Sequence, residues 1–203
     1  MSEEASVAPI LASASPIRAR LLAAAGVSFE VAPARIDEPA LRAALQGRGA
    51  ATAEAAEALA KAKAVEVSGR WPGRLVIGAD QILDCDGAWL EKPRTREAAR
   101  RDLVRLRGRA HRQVTAVCLV RDRSRRWGRV ETVGLSVRDF SDRFLEAYLD
   151  AGGADILGCP GAYQLEGPGV QLFSAVEGDY FAVLGLPLLP LIEALRRHRV
   201  LMT

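Results

Sequence analysis

Two long strand-like runs constrain this chain more than any other feature. They are "RQVTAVCLVRD" (112–122) and "GRVETVGLSVRD" (128–139), joined by the polar turn "RSRRWG". A connection this short makes the pair antiparallel, because parallel neighbours need a crossover of a dozen or more residues. Helical and strand segments surround the pair. "APILAS" reads as a first buried strand, residues 16–25 as a first helix, and the alternating "VSFEVAP" as a second strand. "DEPALRAALQG" predicts a short helix and the Ala-rich stretch 52–67 a strong one. "RLVIGAD" is an apolar run whose polar end, Gly-Ala-Asp, predicts a central strand stopping there. "QILDCDGAWLEKP" then predicts a hairpin turning near Asp86-Gly87.

Residues 94–106 predict a helix with Ala99, Leu103 and Leu106 on one face, and Ser141 is placed to cap another through Leu149. "GAYQLEG" and "VQLFSAVEGDY" predict a turn and a strand, and a final helix runs from about Leu188 to Arg197. Strict strand–helix alternation is missing, so a simple doubly wound fold does not fit. The pattern is a mixed α/β protein with several antiparallel pairs.

At 203 residues, with 49% hydrophobic and 26% charged residues, the chain suits a single domain, 1–203, with a sizeable core. There is no repeat or low-complexity linker to divide it. A net charge of +3 tolerates an anionic ligand without calling for nucleic acid. The three cysteines, Cys85, Cys118 and Cys159, form no CxxC pair, and an odd number favours a reducing compartment over a disulfide framework. The start, "MSEEASVAP", lacks the basic region of a secretory signal, and the apolar "YFAVLGLPLLPLIEAL" is short for a bilayer and carries two prolines. The expectation is a cytoplasmic protein with no membrane partner.

Several standard sites are excluded: there is no GxxxxGK[ST], GxGxxG, GxSxG or HExxH, and the only histidines are His111 and His198. What remains are acids, bases and hydroxyls at element ends. In "LASASPIRARLL", Ser15 suits an N-cap and Pro16 the first helical position. The same junction also suits an anion, since a helix N-terminus offers free N–H groups and Arg18 a bidentate contact. Asp80 can hold a magnesium ion or orient a water, or simply form a turn. Lys92-Pro93 offers a point charge for phosphate, or only a loop lysine. Lys63, on the Ala-rich helix, reads by itself as solvated, and Asp37-Glu38 as cap and dipole compensation. The arginines of 94–112 read as the wet face of an amphipathic helix, and the scarcity of aromatics nearby argues against a nucleic-acid platform.

Taken in order, these pieces resemble the Maf family of nucleoside triphosphate pyrophosphatases. The landmarks are "LASASPIRARLL", Asp37-Glu38, "LAKAKA" around Lys63, "IGADQIL" around Asp80, "EKP" at Lys92, "LRGRAHRQVTAV", "GAYQLEG" and "EGDYFAVLGLPL". The resemblance spans about Leu11 to Leu195. It implies an α/β fold with a long twisted mixed sheet, flanking helices and two lobes around a cleft, similar to the inosine triphosphate pyrophosphatases. It implies a homodimer, a divalent cation (magnesium or manganese) and hydrolysis of a nucleoside triphosphate to monophosphate and pyrophosphate in a house-cleaning role. Asp80, Lys92 and Glu38 would be catalytic. Asp80 and Glu38 would also hold the metal, and Ser13, Ser15, Arg18 and Lys63 would bind the phosphates.

Ile17, Gln81 and Glu166 stand where the resemblance places base selection. Gln and Glu there are similar to the 7-methyl-GTP branch, whereas the branch acting on uridine and thymidine triphosphates has Arg, Thr and Gln. A carboxylate at Glu166 suits guanine, whose N1–H and N2–H both donate, and a methylated, cationic base suits it further. Ile17 replaces an aromatic, which removes a stacking partner for that cation. The chain departs from the family in keeping one arginine, Arg18, after the proline, in "GADQ" for the usual "GADT", and in "GCPGAY", where a family lysine is missing. The alternatives are a pyrophosphatase for dTTP and UTP, and a nucleotide- or nucleic-acid-binding regulator of septum formation.

Overall fold

The computed structural model describes residues 7–202. In chain order the elements are β1 (Ile10–Leu11), α1 (Pro16–Ala24), β2 (Glu30–Val31), α2 (Glu38–Gly47), α3 (Thr52–Arg70), β3 (Val76–Cys85), β4 (Ala88–Leu90), α4 (Arg96–Leu106), β5 (Ala110–Arg121), β6 (Ser124–Val137), α5 (Asp142–Gly152), β7 (Phe173–Glu177), α6 (Tyr180–Val183) and α7 (Leu188–Arg197). Short 3-10 turns lie at Asp155–Gly158, Pro160–Ala162 and Pro168–Leu172. The strands form one mixed seven-stranded sheet in the order β2-β1-β3-β5-β6-β7, with β4 paired to β3. β1 runs parallel to β2 and β3, whereas β3–β4 and β6–β7 are antiparallel. This is the expected α/β class.

The chain divides into two compact units. The first holds residues up to 81, 115–131 and 185 onwards; the second holds 82–114 and 132–184. In the first unit, α3 lies very close to β3. Its buried face is built from Ala55, Ala56, Leu59, Ala60, Ala64 and Val67. Opposite stands Gly78, where a Cβ would meet the Ala60 carbonyl and lie 2.6 Å from the Ala64 methyl. Small residues on both surfaces allow this approach, and it brings the next helical side chain, Lys63, within reach of the strand. In the second unit α4 buries Ala99, Leu103 and Leu106, the predicted face, in a core with Leu83, Leu135, Leu145 and Leu149. The wet face of α4 is paired: Arg100 contacts Glu146 at 2.7 Å, Arg96 contacts Asp150 at 2.7 Å, and Arg107 contacts Asp142 at 2.7 Å.

Four local expectations change. β3 does not stop at Asp80 but continues to Cys85, because both faces of the strand stay covered along its length. The β5–β6 turn is only Asp122-Arg123, both at positive φ (52° and 59°), so most of "RSRRWG" is already strand. The tight turn matches the strand twist that primed hairpin turns provide. β2 is only two exposed residues. Finally, Ser15 occupies the N-cap of α1, but its side chain makes no capping hydrogen bond. Ser141 does cap α5, accepting from the Phe144 N–H at 3.2 Å, and Thr95 caps α4.

Candidate active site

The first unit gathers four charged groups around Asp80, which is 2% exposed in the middle of β3. Lys63 Nζ donates to Asp80 Oδ1 at 2.6 Å and lies 2.6 Å from Glu38 Oε2, so one ammonium bridges two carboxylates. Arg42 Nη2 lies 3.4 Å from Asp80 Oδ2 and 3.6 Å from Glu38 Oε1. The lysine expected to be solvated is therefore largely enclosed. Asp37 caps α2 by accepting from the Ala40 N–H at 3.0 Å. That orients the first turn and frees Glu38 for the cluster. Burial works to raise the Glu38 pKa, but the Lys63 hydrogen bond and charge, with Arg42 and Arg18 behind them, hold it below the usual carboxylate value.

Arg18 reaches the same cluster from α1. Its Nε donates to the Gly185 carbonyl at 2.8 Å, and its Nη1 to Ser13 Oγ at 3.1 Å and to the Ala79 carbonyl at 3.0 Å. It thus braces the residue before Asp80 against α1 and the chain entering α7. Burial lowers its pKa, opposed by the charges of Asp80 and Glu38. Ser13 Oγ also accepts from the Ser15 N–H at 3.2 Å. So the hydroxyl that orders the α1 entry is Ser13, not Ser15. Gln81, next in β3, donates through Nε2 to Thr115 Oγ1 at 2.9 Å, and Ile17 is half-buried in the first turn of α1.

Three cations face two carboxylates in this group, a local excess of positive charge suited to a polyanion. Among the described residues no group of three or more His, Cys, Asp or Glu could form a protein-only metal cage. Asp80 and Glu38 instead offer hard carboxylate oxygens converging on one point, now held by Lys63. Such a donor set fits a cation of the magnesium type, which takes one or two carboxylates and completes its shell with water and phosphate oxygens.

Two of the sequence-derived candidates belong to the second unit. Lys92 follows β4 and is exposed, as is Glu166. Both act on the Cys159 thiol. Burial raises its pKa, a Gln164 hydrogen bond lowers it, Glu166 raises it and Lys92 lowers it. They therefore share one neighbourhood in that unit. Arg42 escaped the sequence reading, although a signal existed: it sits four residues after Glu38 on α2, the spacing of a same-face ion pair.

A family model described as Maf-like protein matches residues 9–198. The chain belongs to the Maf-like family. Among its curated relatives, a nucleoside triphosphate pyrophosphatase of Granulibacter bethesdensis is 49% identical over 192 residues, covering 95% of this chain and 98% of that protein. One of the same name from Paramagnetospirillum magneticum is 50% identical over 189 residues, 93% and 97% of the two chains. A 7-methyl-GTP pyrophosphatase of Brucella abortus is 45% identical over 190 residues, 94% and 96%. In this Maf-like chain, no described helix is long and apolar enough to cross a membrane.

Proposed function

We propose that this Maf-like protein hydrolyses a modified purine triphosphate of the 7-methyl-GTP kind to monophosphate and pyrophosphate. The reaction class is that of its relatives: the chain is a nucleoside triphosphate pyrophosphatase. The observation that carries the assignment of the chemistry is the buried Asp80 carboxylate, held at 2.6 Å by Lys63 and at 3.4 Å by Arg42. A buried acid under two cations is poised for electrostatic work on a polyphosphate rather than for packing.

In this reading Lys63 and Arg42 hold the Asp80 and Glu38 side chains in place by ion pairing, and Arg18 fixes the backbone beneath Asp80. Asp80 and Glu38 would hold a magnesium or manganese ion, which supplies Lewis-acid polarisation of a phosphoryl oxygen and a more acidic water. Ser13, Ser15 and the first turn of α1 offer donors to phosphate oxygens, and Lys63 and Lys92 offset the charge gathering on the leaving pyrophosphate. Asp80 orients the attacking water and accepts its proton. Glu166 and Gln81 select the base. Glu166 accepts from the paired N–H donors of a guanine, and Ile17 gives an apolar wall without a stacking ring. We take 1–203 as one domain acting as a homodimer in the cytoplasm, without nucleic acid or a membrane as partner.

The test is pyrophosphate release from 7-methyl-GTP, GTP, UTP, dTTP and 5-methyl-UTP, with and without magnesium, by the wild type and Asp80→Asn. Metal-dependent release that is highest for 7-methyl-GTP and lost in Asp80→Asn is expected. Preference for UTP or dTTP would keep the reaction and overturn the base assignment. No release from any substrate would point to a binding protein that regulates septation.

A further inference from the structure

The second unit contains a buried polar network that the chemistry above does not use. Tyr163, 5% exposed, receives a hydrogen bond from Gln113 Nε2 at 3.0 Å and lies 2.7 Å from His111 Nε2. Gln113 Nε2 donates to the tyrosine oxygen, and the hydroxyl shares a second hydrogen bond with His111 Nε2 whose direction follows the tautomer of a neutral imidazole. Burial, which lowers the His111 pKa to about 4, agrees. The Tyr163 ring stands edge-on to Phe173 at 4.8 Å. His111 Nδ1 and Gln113 Oε1 are two of the few buried side-chain atoms among the described residues without a partner. Three apolar side chains would avoid that cost. A network that gives up stability in this way is better explained by the orientation it imposes.

What it orients is the segment leading to Glu166. Gly161 and Ala162 both lie at positive φ, 75° and 58°, and a Cβ on Gly161 would sit 2.6 Å from Leu83 Cδ1 and 2.8 Å from Tyr163 Cε1. A left-handed alanine persists only where its surroundings over-determine it. Here the Tyr148 hydroxyl donates to the Ala162 carbonyl at 3.0 Å, and Tyr163 is held at its tip as described. Gln164 Nε2 donates to the Asp155 carbonyl at 3.3 Å, and Leu165 is buried. Every residue from 161 to 165 is thus pinned, and Glu166 is the next residue, exposed to solvent.

We infer that Tyr163, held by His111 and Gln113, is the positioning residue for Glu166, so that this buried triad sets base discrimination without touching substrate. The inference rests on the assignment of Glu166 to the base. It is tested by the ratio of kcat/KM for 7-methyl-GTP to that for UTP in Tyr163→Phe, Glu166→Gln and the double variant. Tyr163→Phe keeps the ring and removes only the hydroxyl. The ratio is expected to fall about five- to tenfold on loss of the hydroxyl and its two neutral hydrogen bonds, through KM with kcat little changed. In the Glu166→Gln background the same change should leave the ratio where it is. If Glu166→Gln moves the ratio and Tyr163→Phe does not, the positioning role is wrong and the base assignment stands. If Glu166→Gln leaves the ratio unchanged, the base assignment itself falls and the inference with it. An equal loss for both substrates with a lowered Tm marks a merely structural tyrosine and overturns the inference. Should Tyr163→Phe not fold, Gln113→Leu, which removes one of the two tethers, is read against the same outcomes.

Discussion

Two polar groups lie in covered parts of this molecule and are built on opposite principles. Around Asp80, Lys63 and Arg42 form ion pairs with two carboxylates, and a third cation, Arg18, is bonded to backbone carbonyls on two sides. Around Tyr163 there is no charge, only neutral hydrogen bonds with two atoms left over. Charges act over distance and make a potential, so an ionic cluster tolerates small displacements of its ligand. Neutral hydrogen bonds act only at contact and in one direction, so they fix geometry. The first arrangement suits stabilising a polyphosphate. The second suits holding a recognition segment in one conformation. On the proposed assignment, chemistry and discrimination rest on different physics in the two units.

The comparison breaks most visibly at Lys63. Lys63→Met leaves Asp80 buried with Arg42, at 3.4 Å, as its remaining ion-pair partner, and breaking a buried ionic group costs about 3 kcal/mol or more. The sign with pH follows from Glu38, whose folded pKa is held below its ordinary value by Lys63. That contribution is complete above the unfolded value and is lost as pH falls through the folded one. The deficit of Lys63→Met in urea unfolding should therefore be full near neutral pH and shrink in acid. A deficit that is the same at every pH would show that the lysine acts through packing alone.

The neutral group responds to acid in a different window. His111 is held at about 4 by burial against an ordinary value of 6.5, so the folded state resists a proton that the unfolded chain accepts. Stability from this group is present above 6.5 and is lost as pH falls toward 4. The wild type should lose about 2 kcal/mol from this source between about pH 7 and about pH 5, and His111→Asn should lose almost none of it. Equal slopes for the two proteins would mean that His111 is already solvated or charged in the native state, and the contrast between the two groups would disappear.

Much of this was legible before the fold was known, and the failures share a cause. Periodicity gave α4 its buried face of Ala99, Leu103 and Leu106, gave α7 its limits, and marked the Asp86-Gly87 turn. These features depend on neighbours in sequence. The end of β3 was misread because Ala79-Asp80-Gln81 looks like a polar stop; it becomes a covered strand only when Lys63, Arg42 and Thr115 arrive from elements far along the chain. Lys63 looked solvated for the same reason, as nothing in its helix reveals that Gly78 lets α3 approach closely enough for it to reach Asp80. The Tyr163 group was missed altogether. His111 and Gln113 are buried positions on either side of the exposed Arg112 in β5, and only the contact with a distant tyrosine gives them a purpose.

The smallest expected effect separates the two serines at the entry to α1, on the rim of the charged group. Their chemistry is the same and their spacing suggests equivalent roles, yet they are used differently. Ser13 Oγ accepts from the buried Arg18 guanidinium and from the Ser15 N–H, whereas Ser15 makes no capping bond. Ser13→Ala strands a donor in a covered site and should lower stability by about 1–2 kcal/mol. Ser15→Ala removes nothing that the folded chain relies on and should leave the urea midpoint almost unchanged. If Ser15 meets the triphosphate, its loss appears instead in KM. The pair thus divides support of the cluster from contact with the ligand: equal destabilisation by both substitutions would return Ser15 to the role of a helix cap, and a silent Ser13→Ala would mean that Arg18 needs no partner beyond the carbonyls of Ala79 and Gly185.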